Sequence, residues 1–465
     1  MSTEKPSVCP LDCPDTCSLT VTVADEQVIA VKGSRANPLT HGAVCAKVAK
    51  YYPEFVHGAN RLRYPHKRVG AKGEGKLARI SWDEALDIIH ERVSGVIDRY
   101  GPQAVLPFNY AGPQGILASD SMSLRFFHKL GATQLKRNPL CGGIRTEAYA
   151  GTFGDCPGTP LQQVSLAQLI IVWGNNATAC NLHLMRQINA ARHNGAKLVV
   201  IDPRRVRVAE QANLHLAVRP GTDVVLAFAL ATELERGGGL DRDFIARHVL
   251  GFEAYMSEAR RYDPERAADI CGVPAEDIRT LARWYREASP AVIAWGNGLE
   301  RNQNGGSGVR AIAALPALAG KFGVAGGGLV AAAGNAFPTD SDRLTLPELA
   351  PPRTRTINIL DVAPRLLDDA LDPPLRALFI YNHNPLVVHP DQNRMRRALA
   401  REDLFIVGIE IALTDSMQYA DVLLPACSHF EYADVYTAYG QQYLQRSEPV
   451  IAPVGESLPN TEIFR

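Results

Sequence analysis

The sequence lacks net charge, a membrane-length apolar run, a signal core and a nicotinamide fingerprint, and each absence removes a class of function. Lys plus Arg and Asp plus Glu both number 49, so no bulk field draws the chain to nucleic acid or to an anionic membrane surface. No apolar run approaches the roughly 20 residues that span a bilayer. The N-terminus, Met1-Ser-Thr-Glu-Lys-Pro-Ser-Val-Cys9, holds neither an apolar signal core nor a twin-arginine pair. The expectation is a cytoplasmic protein with no nucleic-acid partner and no direct membrane insertion. Without an export signal, a disulfide framework is not expected for the nine cysteines. No strand-like segment is followed by Gly-x-Gly-x-x-Gly, which argues against a nicotinamide dehydrogenase.

What is present is an ordinary globular composition, 46% hydrophobic and 21% charged over 465 residues, enough for about two to four domains. Residues 1 to 65 show little helical periodicity. Their alternating runs Ser18-Leu-Thr-Val-Thr-Val23 and Val28-Ile-Ala-Val31 predict a short antiparallel hairpin. The basic, glycine-rich passage Pro65 to Gly75 reads as an exposed connector. Ser81-Trp-Asp-Glu84 then opens an amphipathic helix as a capping box, with Ser81 at the N-cap.

From about residue 165 the pattern changes to short apolar strands followed by helices: Leu169–Trp173, Leu198–Ile201, Ala291–Trp295, Ala377–Tyr381 and Leu404–Ile409. Continuous runs of this length ending in Gly, Asn or Asp predict parallel, doubly wound sheets. Ligands bind such sheets beyond the carboxyl ends of the strands. Two segments match without gaps at a constant offset of 208 residues: Leu169-Ile-Ile-Val-Trp-Gly-Asn-Asn176 aligns with Ala377-Leu-Phe-Ile-Tyr-Asn-His-Asn384. Asp202 and Glu410 each lie 26 residues past the turn asparagine, Asn176 or Asn384. An acidic residue there is placed to hold a sugar hydroxyl or a purine edge. Doubly wound units resemble one another by chance, but the preserved spacing favours two related nucleotide-type half-sites.

The cysteines are unevenly placed. Four follow the spacing Cys9-x3-Cys13-x3-Cys17-x27-Cys45, while Cys141, Cys156, Cys180, Cys271 and Cys427 are scattered. Three thiolates within nine residues can wrap one face of a cubane iron–sulfur core and a distant fourth can close it. Structural zinc also takes four cysteines, usually as two short-spaced pairs, so the three-plus-one split suits it less. Lys47, two residues past the last of the four, is either a solvated lysine or a cationic bridge from the cluster to a second redox centre.

With Val8-Cys-Pro-Leu-Asp-Cys-Pro-Asp-Thr-Cys17, Gly42-Ala-Val-Cys-Ala-Lys47 and Ser81-Trp-Asp-Glu-Ala85, the chain resembles the molybdopterin oxidoreductase family of the dimethyl sulfoxide reductase type. The likeness continues through Cys141-Gly-Gly143, Gly151-Thr-Phe-Gly154, Val172-Trp-Gly-Asn175, Val200-Ile-Asp-Pro-Arg204, Arg219-Pro-Gly-Thr-Asp223, Tyr381-Asn-His-Asn-Pro385, Tyr419-Ala-Asp-Val-Leu-Leu-Pro425 and Glu431. It implies an α/β chain: a small N-terminal iron–sulfur domain followed by two doubly wound, pseudo-symmetric dinucleotide-binding domains. The expected divisions are 1–65 for the 4Fe-4S domain, 141–334 for the first half-site, and 66–140 with 335–465 for the second.

The resemblance also implies molybdenum or tungsten held by two molybdopterin guanine dinucleotides, with a 4Fe-4S cluster on Cys9, Cys13, Cys17 and Cys45 and Lys47 as the electron relay. Trp173, Gly174 and Asn176, and on the other side Asn382 and Asn384, would approach the pyrophosphates. Asp202, Arg204 and Asp223, with the turn at Gly221, would meet one guanosine, and Thr414 and Asp415 the other. Asp223 also reads as the N-cap of the following helix. The position that ligates the metal matches Cys141, where flanking Pro and Gly allow close backbone approach and a thiolate suits a soft metal. Cys156 is its rival, and Cys180, Cys271 and Cys427 read as packing residues.

Two departures bear on function. Gly142 stands where related formate dehydrogenases carry His, which argues against formate oxidation. Family members also continue into a C-terminal domain, so the chain is expected to be a fragment or a short form that borrows that piece. The expected activity is a molybdenum- or tungsten-dependent oxidoreduction of a small molecule, exchanging an oxygen atom or hydride equivalent. Electrons would pass to a separate iron–sulfur or flavin protein. The alternatives are an iron–sulfur conduit without pterin chemistry, as in the large iron–sulfur subunit of respiratory complex I, or a non-redox hydratase. His183, His383 and His429 read as structural polar residues near the motifs.

Overall fold

The computed structural model describes residues 1–465. It begins with a three-stranded antiparallel sheet of β1 (Thr3–Val8), β2 (Ser18–Ala24) and β3 (Gln27–Gly33), in that spatial order. The expected hairpin is there, turning through Asp25 and Glu26 in left-handed backbone (φ 49° and 56°). The sequence reading missed β1, an edge strand whose outer residues are exposed and polar and which carries Pro6, so alternation is weak. Its pairing matters, because Val8 lies opposite Ser18 and the Cys9 N–H donates to the Cys17 carbonyl at 2.9 Å. The ladder thereby sets the first and third cysteines of the quartet face to face. Helix α1 (Ala46–His57) starts directly after Cys45 and packs on β3.

The passage read as an exposed connector is partly built into the fold. Its β4 (His66–Arg68) pairs antiparallel with β5 (Leu77–Arg79) and, on its other side, with the edge of a four-stranded parallel array, which the two strands extend to a six-stranded sheet. Lys72 is buried, its Nζ 3.0 Å from Asp421, and Arg68 Nε donates to Asp421 at 2.9 Å. The basic residues are there to neutralise a carboxylate some 350 positions away, which no local pattern reveals. Helix α2 (Trp82–Tyr100) follows, and the Ser81 hydroxyl accepts the Glu84 N–H at 3.1 Å. Only half of the capping box forms, because the Glu84 carboxylate turns to Lys67 instead, at 2.7 Å.

Strand β6 (Val105–Asn109) leads through α3 (Ile116–Leu130), the short β7 (Gln134–Lys136) and α4 (Gly143–Phe153) to a five-stranded parallel sheet. This consists of β8 (Leu169–Trp173), β9 (Lys197–Ile201), β10 (Leu214–Leu216), β11 (Ala291–Trp295) and β12 (Gly328–Val330), in the order β10-β9-β8-β11-β12. After β13 (Thr356–Asn358), which pairs with β7, the chain adds β14 (Ala377–Tyr381), β15 (Phe405–Glu410) and β16 (Val422–Pro425). The second large sheet has the order β5-β4-β16-β15-β14-β6.

The offset repeat is thus a structural repeat: β8-β9-β10 and β14-β15-β16 are consecutive parallel neighbours in both sheets. Each leading strand is flanked on its other side by a further parallel strand, β11 for β8 and β6 for β14. In the second sheet that flanking strand comes from earlier in the chain. Alternate residues feed opposite faces, so Ile171 and Trp173 enter one core while Ile170 and Val172 enter another. In the second sheet Leu378 and Ile380 face away from Phe379 and Tyr381 in the same manner. Both sheets are covered on both faces, the doubly wound arrangement expected of continuous apolar strands. No helix is long and apolar enough to cross a membrane.

Candidate functional site

The four clustered cysteines meet where the β1–β2 ladder ends and α1 begins. Cys9 and Cys17 are buried, while Cys13 and Cys45 are partly exposed. Burial pushes the thiols of Cys9, Cys13 and Cys17 up, Cys13 to about 12, and the charges of neighbouring cysteines, with Asp15 beside Cys13 and Cys17, raise them further. Four sulfurs that repel one another as thiolates need a cationic core to be stable together. No three His, Cys, Asp or Glu side chains converge closely enough to share one metal ion. Zinc is held at Zn–S distances of about 2.3 Å, whereas four thiolates around a cubane match this donor set. Cys45, in the N-cap position of α1, lies at the positive end of that helix. Lys47 is exposed on its first turn, near enough to lower the thiols of both Cys9 and Cys180.

Cys141 sits between the carboxyl ends of the two large sheets. Asn297, two residues past β11, brings Nδ2 to 3.6 Å from the Cys141 sulfur. Burial pushes up the hydroxyl of Tyr110, the residue after β6, and the nearby Cys141 sulfur raises it further. One contact comes from each sheet. Gly143 is required by the loop, since a Cβ there would lie 2.2 Å from the Asn138 carbonyl oxygen. Tyr439 connects this place to the quartet: its hydroxyl donates to Asp12 at 3.2 Å, and after burial it is raised by the charges of Asp12, Cys13 and Cys141. Cys156 is exposed and its thiol bonds only to the carbonyl of Pro157, at 3.3 Å. Cys271 and Cys427 are buried as expected, but Cys180 is exposed at the end of a four-residue helix and is not a packing residue.

The first set of cofactor candidates lines the carboxyl ends of β8 and β9. Gly174 has φ 60°, and its N–H donates to the Ile201 carbonyl at 2.9 Å. Asn176 occupies the N-cap position of the next helix and accepts the Thr178 hydroxyl at 3.0 Å. Asp202 accepts the Arg204 N–H at 2.8 Å, which leaves the Arg204 guanidinium exposed beside it. Trp173 is fully buried, and its indole N–H donates to Asp223 at 2.7 Å. That contact overturns the capping role read for Asp223. Thr222 holds the N-cap position, without a side-chain bond, and Asp223 is the first helical residue. A buried indole donor has to be satisfied, and burial pushes the Asp223 carboxyl up. Gly221, at φ 86°, stands just ahead of that helix.

The second set faces a cavity of about 360 Å³ at the carboxyl ends of β14 and β15. Asn382 and Asn384 line it together with Glu410, Tyr110 and the Pro10–Asp12 stretch of the cysteine loop. Asn382 has φ 52°, donates to the Ser119 carbonyl at 3.1 Å and accepts from Asn460 at 2.9 Å. Asn384 holds the N-cap position of the next helix, as Asn176 does in the other repeat, and accepts the Ser416 hydroxyl at 2.6 Å. Thr414 and Asp415 lie on the following turn, outside the cavity lining; the Thr414 hydroxyl is buried without a partner, and Asp415 is exposed. Burial raises Glu410 to about 7.

The histidines near the motifs are enclosed. His183 Nδ1 is 2.8 Å from Asp15, His383 and His389 share a 2.9 Å contact between their Nε2 atoms, and His429 packs on Tyr52 and Phe430. Burial pushes His383 well down, His389 to about 4 and His429 to about 3.

The sequence reading missed the segment after β11. Gly296 and Gly298 pack on Gly174 so closely that Cβ atoms would lie 2.6 and 2.8 Å from its carbonyl oxygen. Asn304 Nδ2 donates to the Gly221 carbonyl at 2.9 Å. One segment therefore touches the Gly174 turn, the Gly221 turn and Cys141. A signal was available, because Trp295-Gly-Asn297 repeats Trp173-Gly-Asn175 after a second parallel strand.

A profile of the molybdopterin oxidoreductase family matches residues 61–465, and one of the molybdopterin oxidoreductase Fe4S4 domain matches residues 2–55. "Probable oxidoreductase YoaE" of Bacillus subtilis is 39% identical over 99% of this chain and 67% of its own length. An F420-dependent formate dehydrogenase 2 subunit alpha of Methanococcus maripaludis is 28% identical over 99% of the chain and 69% of its own length. Among solved structures, the acetylene hydratase from Pelobacter acetylenicus superposes with a TM-score of 0.84 at 23% identity, over 99% of this chain and 68% of that one. The chain spans about two thirds of the length of these relatives.

Proposed function

The chain belongs to the molybdopterin oxidoreductase family, with that family's 4Fe-4S cluster and molybdenum or tungsten pterin cofactor, and from this premise we propose that it holds the metal between its two large sheets through Cys141. The observation that carries the reading is the Cys141 sulfur, met by Asn297 from the end of one sheet and by Tyr110 from the end of the other. When bound, the metal and its pterins supply two-electron exchange of an oxygen atom or hydride equivalent with a small substrate. Cys9, Cys13, Cys17 and Cys45 hold the cluster, and Lys47 and Tyr439 stand beside the quartet, Tyr439 on the side of Cys141. Electrons leave to an external iron–sulfur or flavin protein.

The proposal includes the two dinucleotide arms and the domain division 1–65, 66–140 with 335–465, and 141–334. Gly174, Asn176, Asp202, Arg204, Gly221 and Asp223 receive one arm beyond the ends of β8 and β9. Asn382, Asn384 and the Thr414–Asp415 turn receive the other, where the unpartnered Thr414 hydroxyl provides a free donor. The open cavity at Asn382 leaves room for phosphate groups to approach the backbone there.

Anaerobic purification followed by metal and pterin analysis tests the proposal. Molybdenum or tungsten with two guanine dinucleotides per chain is expected. Cys141→Ala should reshape or abolish the metal's paramagnetic signal and leave the cluster's signal intact. Iron as the sole bound metal would make the chain a conduit. An unchanged metal signal in Cys141→Ala would remove Cys141 from the centre.

A further inference from the structure

The turn that closes β11 is immobilised before it reaches Cys141. Gly296 and Gly298 donate their N–H groups to the Trp173 and Gly174 carbonyls at 3.0 and 3.0 Å. Neither position has space for a side chain against Gly174, so the turn cannot slide along β8. From this frame three side chains reach the Cys141 loop. Asn297 Nδ2 meets the sulfur at 3.6 Å. Arg301 Nη1 donates to the Leu140 carbonyl at 2.7 Å. Glu300, its side chain wholly buried, accepts the Arg145 N–H at 2.8 Å in the first turn of α4, which begins two residues after Cys141.

We propose that Asn297 is the positioning residue for the Cys141 thiolate: its amide donates a hydrogen bond that aims the sulfur at the metal and withdraws charge from it. The inference rests on the reading of Cys141 as a metal ligand. Arg301 and Glu300 hold the backbone on either side, so the Asn297 contact from the rigid turn, with Tyr110 on the opposite side, sets the sulfur's direction. Hydrogen bonds to a ligating sulfur reduce its donation to the metal and make the oxidised centre easier to reduce. Asn297 therefore raises the metal's potential without touching substrate.

The test uses anaerobically purified holoenzyme and reads midpoint potentials and paramagnetic spectra by mediated titration, with the cluster's signal as internal reference. Asn297→Leu removes the donor at nearly constant shape, Asn297→Asp replaces it with a negative acceptor, and Asn297→Gln keeps a donor. The metal midpoint should fall in Asn297→Leu and fall further in Asn297→Asp, while the cluster midpoint stays at its wild-type value and Asn297→Gln restores most of the shift. Should Asn297→Leu fail to fold, Asn297→Asp decides, being the closest match in shape. A wild-type metal midpoint and spectrum in Asn297→Asp overturns the inference. Cys141→Ala, measured alongside, separates the two levels. If it leaves the metal signal unchanged, the ligand reading has failed; if it alters that signal while the Asn297 variants do not, only the role of Asn297 has failed.

Discussion

Replacing Arg61 with Met should destabilise the protein by about 3–5 kcal/mol, the cost of leaving one member of a buried ion pair uncompensated. Arg61 and Glu431 have no exposed side-chain surface. The guanidinium donates to both Glu431 oxygens at 2.9 and 3.0 Å, to the Ala426 carbonyl at 2.9 Å and to the Ser457 hydroxyl at 3.2 Å. Glu431 also accepts the backbone N–H groups of Ser428 and Val454, at 2.5 and 2.7 Å. In Arg61→Met those two bonds remain, but the carboxylate keeps its charge in a dry site with no cation.

Glu431→Leu should cost a similar amount, because it strands the guanidinium and two backbone donors. The double variant removes both charges together, so its loss should resemble that of one single variant rather than the sum. That implies a coupling of about 3 kcal/mol. Urea unfolding followed by circular dichroism and by cluster absorbance is the assay. For a chain of this size the expected shift in the first transition is roughly 1 M. The pair joins the segment after α1 to the stretch bearing Cys427 and His429, which line the cavity, so cluster loss should move with the same transition. A single-variant loss below about 1 kcal/mol, or additivity in the double variant, would refute the reasoning.

Other expectations follow from single contacts. Burial raises the Glu410 carboxyl to about 7, so the folded state binds that proton more tightly than the unfolded chain. Its stability contribution is full below the ordinary carboxyl range and is lost as pH rises through about 7. Glu410→Gln should therefore match the wild type near pH 4 and exceed it by about 1–3 kcal/mol near pH 8, and equal midpoints at both pH values would contradict this. Ser81→Ala should cost about 1 kcal/mol through the lost bond to the Glu84 N–H, measured as a lowered thermal midpoint and partly recovered by Ser81→Asp. In native holoprotein, iodoacetamide should label Cys180, which is exposed, and spare buried Cys271 and Cys427. Mass mapping that finds Cys271 labelled first would contradict this exposure.

Much of the architecture was legible because it is encoded locally. Apolar runs such as Leu169–Trp173 and Ala377–Tyr381 can be satisfied only by burial on both faces, and both became central parallel strands. The offset repeat carried strand order as well, since equal spacing between strands imposes equal neighbours. Ser81 marked its helix start for the same reason: a cap acts within three residues. Where local pattern misled, the deciding partner was distant. Lys72 and Arg68 read as solvated until Asp421 was brought beside them. Asp223 read as a cap until the Trp173 indole was placed 2.7 Å from its carboxylate.

The sequence by itself determined the cysteine spacing, the two related strand–turn–helix units and the family to which they belong, because each depends on residues close together in the chain. Only the tertiary structure decided that Cys141 stands between the ends of both sheets, within reach of Asn297 on one side and Tyr110 on the other. Strand order sets which turns converge, and parallel sheets join strands that the chain separates by whole helices. Asn297 and Cys141 are 156 positions apart, and no periodicity spans that distance; their meeting follows from α4, just after Cys141, packing against the segment after β11.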